Sequence, residues 1–237
     1  MKKRIFRWIR RLILIVLIAF GAICFHGYHQ YQKYSSQVDI DTLIAEVESR
    51  STYVPYEDLP NTLIRATVSI EDRRYFEHSG VDFKSLIRAI LSQINSNLLK
   101  SGGSTITQQL AKNLYGEYES TFNWKVAEFF FAKDLEAHYS KKEILALYVN
   151  VINYGNNYTG IYEASTGYFD VIPEDLNDGQ CTILAGVPQT PTRYDLSTVE
   201  GFQNARQRQR LVLDAMVEMK YLNAQQAEDI YNEKIIP

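Results

Sequence analysis

A run of 14 residues without a charge, Leu12 to Phe25 (LILIVLIAFGAICF), fixes the first decision about this 237-residue chain. A stretch that apolar spans a bilayer, is removed as a signal peptide, or is buried as a core helix. Ile5, Phe6, Trp8 and Ile9 extend it upstream, and residues 1–11 carry Lys2, Lys3, Arg4, Arg7, Arg10 and Arg11 with no acid. That basic block argues against a core helix, and AICFHGYHQ holds no small-x-small cleavage site. The reading is an uncleaved transmembrane anchor over 12–28. It is short for the roughly 20 residues a span needs, with arginines placed to snorkel and Tyr28, Tyr31 and Tyr34 as an interfacial belt. Residues 1–11 are then a cytoplasmic tail, and the chain beyond about Tyr28 lies on the extracellular or periplasmic side of the cell membrane.

The rest reads as a globular body. Removing the six basic residues of the tail from 25 Lys and Arg leaves 19 against 28 Asp and Glu, a balance of −9. A body that acidic is no general nucleic-acid binder, so an anionic substrate would need cations gathered locally. Hydrophobic content of 46% and charged content of 22% are ordinary for a folded protein, and 17 Tyr against 6 Pro lean toward helices. Cys24 lies in the apolar run and Cys181 in the body, so no disulfide between them is expected, and no zinc-ligand spacing is present.

Helical periodicity organises that body. Val38–Arg50 reads as an acidic, moderately helical spacer, with residues 29–52 juxtamembrane and the main domain over 53–237. Pro60 opens a helix with Leu63, Ala66, Thr67 and Ile70 on one face. Asp82 caps another, whose Phe83, Leu86, Ile87, Ile90, Leu91, Ile94 and Leu98 recur at three and four residues before Lys100-Ser101-Gly102-Gly103 stops it. In GGSTITQQLAKNLY, Ser104 or Thr105 can cap a helix on which Thr107, Gln108, Gln109, Lys112 and Asn113 alternate with Ile106, Leu110 and Leu114. Part of that polar set must sit near the core and find partners there. Further helices are expected over Asn123–Tyr139, from the capping box Ser140–Glu143, around Ile161–Tyr168 and Gly179–Leu184, after Ser197-x-x-Glu200, and from Asn223. No strand-rich region or repeat is visible.

The densest chemistry lies in Glu71–Gly80, EDRRYFEHSG. The apolar run Leu63, Ile64, Ala66, Val68, Ile70 ends there on a carboxylate pair, Glu71-Asp72. Ending a buried helix on a carboxylate desolvates it and raises its pKa toward the range of a general base, while a solvated helix end is the plainer alternative. His78 reads as a loop-shaping hydrogen-bonding residue and His138 as solvated surface. Phe129–Phe131 reads as core or lipid-facing, Trp124 as an interface anchor or a substrate contact, and Glu128 as half of a surface ion pair with Lys125 or Lys133.

Together, EDRRYFEHSG, GGSTITQQLAKN, KVAE, KKEILALYVNVINYG and RQRQRLVLDAM resemble the five ordered motifs of family 51 glycosyltransferases, the peptidoglycan glycosyltransferases or transglycosylases. The likeness covers roughly Tyr53 to Ile230, and because no Ser-x-x-Lys comes after it, the chain looks like the monofunctional form. The resemblance implies a mainly α, lysozyme-like domain with a small membrane-proximal lobe. It implies polymerisation of lipid II into β-1,4 glycan with inversion and release of undecaprenyl diphosphate. Partners would be the growing glycan chain, membrane lipids and other cell-wall synthases. Glu71 would be the general base on the acceptor 4-hydroxyl and Glu128 the second carboxylate, near the leaving diphosphate. Ser104, Thr105, Gln108, Gln109, Lys112, Asn113 and Lys125 would line the substrate groove, and Arg206 and Arg210 would be structural or peripheral. No cofactor is required by this scheme, though a divalent cation, Mg or Mn, could join Glu128.

The chain also departs from that pattern. Trp124 stands where the third motif usually has a basic residue, Ala127 where Lys is common before the Glu, Tyr75-Phe76 in swapped aromatic order, and Asp170-Val171 in place of Gly-Lys. Each lost cation would weaken leaving-group stabilisation by about 2 kcal/mol if the contact is desolvated, with Lys112, Lys125 and Lys133 as candidates to compensate. Two other readings stay open on the residues alone. Paired carboxylates also suit a lysozyme-like glycan hydrolase, and the lost cations suit a catalytically weak scaffold member of the family.

Overall fold

The computed structural model describes residues 2–94, 103–115 and 122–235. Among them the chain forms eleven α-helices and no strand, in line with the periodicity, and one isolated bridge joins Asn153 to Thr159. Cys24 and Cys181 are both free.

Helix α1 (Lys2–Ser35) is one continuous rod of 34 residues, exposed on every side over residues 4–22. Its last turns dock on α6 (Phe122–His138). The ring of Tyr28 meets Phe130 at 5.0 Å, Tyr31 meets Phe131 at 4.9 Å and Tyr34 meets Trp124 at 5.5 Å, while the Tyr31 hydroxyl donates to Asp134 at 2.7 Å. The three tyrosines expected as an interfacial belt thus turn their rings toward protein. Helix α2 (Ile40–Glu48) corrects the reading of a spacer: Ile40, Ile44 and Val47 are buried in the main core against α7 (Lys141–Val151). Three apolar residues at spacing four and three suffice to seat a short helix, even one whose other face is acidic.

Helix α7 is buried from Ile144 to Asn150 and α9 (Asp178–Gly186) from Gly179 to Gly186, so the body is built around these two. Around α7 pack α2, α5 (Ile106–Leu114) and α6, and around α9 pack α3 (Asn61–Glu71) and α10 (Val199–Glu218). Capping boxes start α5 (Thr105 with Gln108), α7 (Ser140 with Glu143), α9 (Asn177 with Gln180) and α11 (Ala224–Tyr231; Asn223 with Gln226), each contributing about 1 kcal/mol. Helix α10 is capped by Thr198, whose hydroxyl accepts from Gly201, rather than by Ser197, which bonds Asp195. The Asp82 carboxylate accepts from the Lys84 and Ser85 amides to start α4 (Phe83–Ile94), whose Phe83, Leu86 and Ile87 remain exposed. Leu98 and the stop at Lys100-Ser101-Gly102 lie outside the described residues. Helix α8 (Ile161–Phe169) ends on Asp170 in the left-handed region.

One glycine fixes the loop after α3. Gly80 has φ +84, and a Cβ there would stand 2.7 Å from the Ala132 carbonyl oxygen, so the loop can lie on α6 only without a side chain at this position.

Candidate active site

Glu71 is the last residue of α3, and the chain leaves the helix at Asp72. The Glu71 side chain is 12% exposed, and the Gln109 amide donates to its Oε2 at 2.9 Å. Oε1 makes no hydrogen bond and stands 3.8 Å from Nη2 of Arg208. Burial pushes the Glu71 carboxyl above the usual carboxylate range, while Gln109 and Arg208 pull it back and Asp72 adds to the rise. The expectation of a desolvated carboxylate at the end of α3 therefore holds.

The loop after Glu71 is pinned to α5 at several points. Asp72 is buried, accepts from His78 Nε2 at 2.9 Å and takes the Ile106 amide at 3.1 Å, and the Thr105 hydroxyl donates to the Gly80 carbonyl at 2.6 Å. His78 shapes this loop, as its place before Gly80 led us to expect. Helix α5 is thereby held in register with α3, which brings Gln109 to Glu71.

Two cavities meet at Glu71. The larger, about 510 Å³, holds Gln109, Lys112, Asn113, Lys125 and Glu128. The smaller, about 260 Å³, holds Arg73, Asp82, Ser85 and Arg88. Ile70, Glu71, Gly103, Ser104, Gln189 and Arg208 line both. Glu128 is 1% exposed, with both oxygens held by Lys125 Nζ at 2.8 and 2.9 Å, so this is no surface pair on the carboxylate side. Burial raises the Glu128 pKa, and Lys125 and Lys112 oppose that rise. Lys125 also donates to the Ser104 hydroxyl at 3.0 Å. Among the described residues no three His, Cys, Asp or Glu side chains converge.

The residues expected in the groove thus divide. Ser104, Gln109, Lys112, Asn113 and Lys125 line the larger cavity together with Glu71 and Glu128. Thr105 borders the smaller one while capping α5, and Gln108 is spent on the same cap and borders neither. Lys133 does not reach the cavities, because its ammonium donates to the Ser79 carbonyl and hydroxyl. The two lost cations fall elsewhere as well: Trp124 is 4% exposed against Tyr34 and Phe131, and Ala127 is fully buried in the core. Arg206 and Arg210 clamp the Tyr231 ring at 3.9 and 3.7 Å, away from both cavities. The sequence reading missed Arg208, which sits between them and faces Glu71.

The transglycosylase family model matches residues 39–217. The chain belongs to the transglycosylase family, the peptidoglycan glycosyltransferases of family 51. It is 36% identical over 183 residues to penicillin-binding protein 2D of Bacillus subtilis (strain 168), covering 77% of this chain and 26% of that protein. It is 36% identical over 188 residues to penicillin-binding protein 1A of Neisseria lactamica (79% and 23%), and 38% identical over 187 residues to penicillin-binding protein 1A of Clostridium perfringens (strain 13 / Type A), covering 76% and 28%. The chain spans about a quarter of the length of the curated relatives it matches. The family match includes α2, in agreement with the burial of its apolar stripe in the transglycosylase core.

Proposed function

We propose that this chain is a membrane-anchored peptidoglycan glycosyltransferase that polymerises lipid II into β-1,4 glycan strands. The observation that carries the reading is the Glu71 carboxylate at the junction of two cavities, with one oxygen fixed by Gln109 and the other unbonded. A two-substrate transferase needs such a junction. An acceptor sugar in the smaller cavity presents its 4-hydroxyl to Glu71 Oε1, and a donor in the larger presents its anomeric carbon from the other side.

Glu71 takes the hydroxyl proton as the acceptor oxygen bonds to the donor C1. The C1–O bond to the diphosphate breaks on the opposite face, which inverts the centre. The bonding electrons leave with the diphosphate. Lys112 and Lys125 meet its charge, and a good leaving group so met needs no strong general acid. Glu128 holds Lys125 toward that group.

Membrane anchoring rests on α1. Its residues 12–28 cover about 26 Å at 1.5 Å per residue, near the roughly 30 Å of a bilayer core. The described structure has one helix long and apolar enough for such a span. Phe83, Leu86 and Ile87, exposed on α4 beside Phe129, would dip into the same lipid.

The test supplies the full chain in detergent with labelled lipid II and separates products on a gel. Glycan ladders from the parent and none from Glu71→Gln are expected. Ladders that persist in Glu71→Gln remove it as the base, shortening of preformed strands identifies a hydrolase, and lipid II binding without turnover identifies a scaffold.

A further inference from the structure

We propose that Tyr148, buried in the middle of α7, is a positioning residue for Glu71 that acts through Gln109. This rests on the reading of Glu71 as the base. The Tyr148 side chain is fully buried. Its hydroxyl donates to Gln109 Oε1 at 3.2 Å, and the Gln109 amide nitrogen donates to Glu71 Oε2 at 2.9 Å.

The direction of this chain is set by chemistry at both ends. An ionised Glu71 can only accept, so the amide must turn its NH2 group toward it and its oxygen away. Burial, with the Glu71 charge nearby, raises the Tyr148 hydroxyl well above its ordinary pKa, so it keeps its proton and remains a donor toward that oxygen. An isolated amide could flip and present its oxygen to the carboxylate. Tyr148 disfavours that alternative, because the flipped amide would take from the buried hydroxyl its acceptor, Gln109 Oε1.

The scaffold is rigid at each step. Tyr148 sits on the helix buried from Ile144 to Asn150, Gln109 sits on the capped α5, and Asp72 ties α5 to the end of α3 through the Ile106 amide. Gln109 would therefore present a fixed donor to Oε2 and leave Oε1 without a hydrogen bond of its own. Loss of the Tyr148 hydroxyl would free the amide, weaken the bond that favours ionised Glu71, and raise the pH at which the base becomes active.

The experiment measures the pH profile of kcat/KM for lipid II polymerisation by the full chain in detergent. Parent, Tyr148→Phe, Gln109→Leu and the double variant are compared, with circular dichroism and thermal melts to confirm folding. Tyr148→Phe keeps the ring that fills the core, so the fold is retained. We expect its acid limb to move up by about half a pH unit and that of Gln109→Leu by about one. The double variant should match Gln109→Leu alone, because the Tyr148 hydroxyl hydrogen-bonds Gln109 and not the carboxylate. An acid limb unmoved in Tyr148→Phe while Gln109→Leu shifts overturns the inference, as does a Tyr148 shift that adds in full to that of Gln109. Ladders from Glu71→Gln are a separate failure, that of the base assignment itself.

Discussion

Replacing Arg208 with Met should move the acid limb of polymerisation to higher pH. Arg208 is about 10% exposed on its side chain, and Nη2 lies 3.8 Å from Glu71 Oε1. Two unit charges at that distance interact by about 4 kcal/mol at an effective dielectric of about 20, equivalent to about three pKa units. Water entering the vacated space screens part of that loss, and Gln109 still donates to Oε2, so about one unit is the expected shift. Met is chosen because the Arg208 stem packs closely over Gly186, where a Cβ would approach Arg208 Cγ to 2.8 Å, and a thioether preserves that packing. The assay is kcat/KM for lipid II across the acid range, read beside thermal melts at the same pH values. The stability sign is set by Glu71, whose folded pKa is already raised and rises further in the variant. For an acid so shifted, the penalty is absent below the unfolded pKa, grows as pH rises through it, and is complete above the folded pKa. The variant should therefore lose stability relative to the parent as pH rises toward neutrality. A uniform fall in rate at every pH, with the acid limb unmoved, would refute the idea that Arg208 sets the charge of Glu71.

Two further substitutions probe α6. Lys125→Met leaves a carboxylate that is 1% exposed without its ammonium, so kcat/KM at neutral pH should fall about tenfold or more, where a surface pair would cost almost nothing; steady-state kinetics distinguishes the two. Trp124→Lys restores the cation usual in the family but places an ammonium where the side chain is 4% exposed, so urea unfolding should show a loss of about 3 kcal/mol or more and the rate should not rise. A faster enzyme of unchanged stability would show that this position reaches the leaving group.

Much of the fold was legible because its signals are local. The Ser140–Glu143 box and the Asn223 cap need four residues each, and the structure has both. The stripe of α2 is harder to read, because Asp41, Glu46 and Glu48 interrupt its apolar residues and only Ile40, Ile44 and Val47 are buried. The site was harder for a different reason. RQRQR offers three arginines, and only the phase of α10 against its core separates them. Ala205, Arg208, Val212 and Ala215, spaced three, four and three, form the buried stripe, so Arg208 could have been identified from the apolar spacing around it. Arg206 and Arg210 fall on the other side, around Tyr231. Gln109 and Gln108 show the same limit: both are amides on one short helix, and the capping box consumes one while the other reaches Glu71.

Phase also explains the departures on α6. At about 100° per residue, Trp124, Ala127 and Phe131 share one face and Lys125 and Glu128 another, roughly a quarter-turn away. The first face is buried, with Trp124 against Tyr34 of α1 and Phe131 against Tyr31 and Tyr115. The second opens on the larger cavity. Exchanging cations for Trp and Ala at 124 and 127 therefore alters the buried face of α6, where Trp124 meets α1, and not the lining of the cavity. The positive charge there rests on Lys112, Lys125 and Arg208, three cations from three different helices. The same helix that receives α1 carries Glu128 and Lys125, so a substitution on its buried face acts on the cavity only by moving α6 as a body. That is why Trp124→Lys is expected to appear first in the unfolding curve and only through it in the rate.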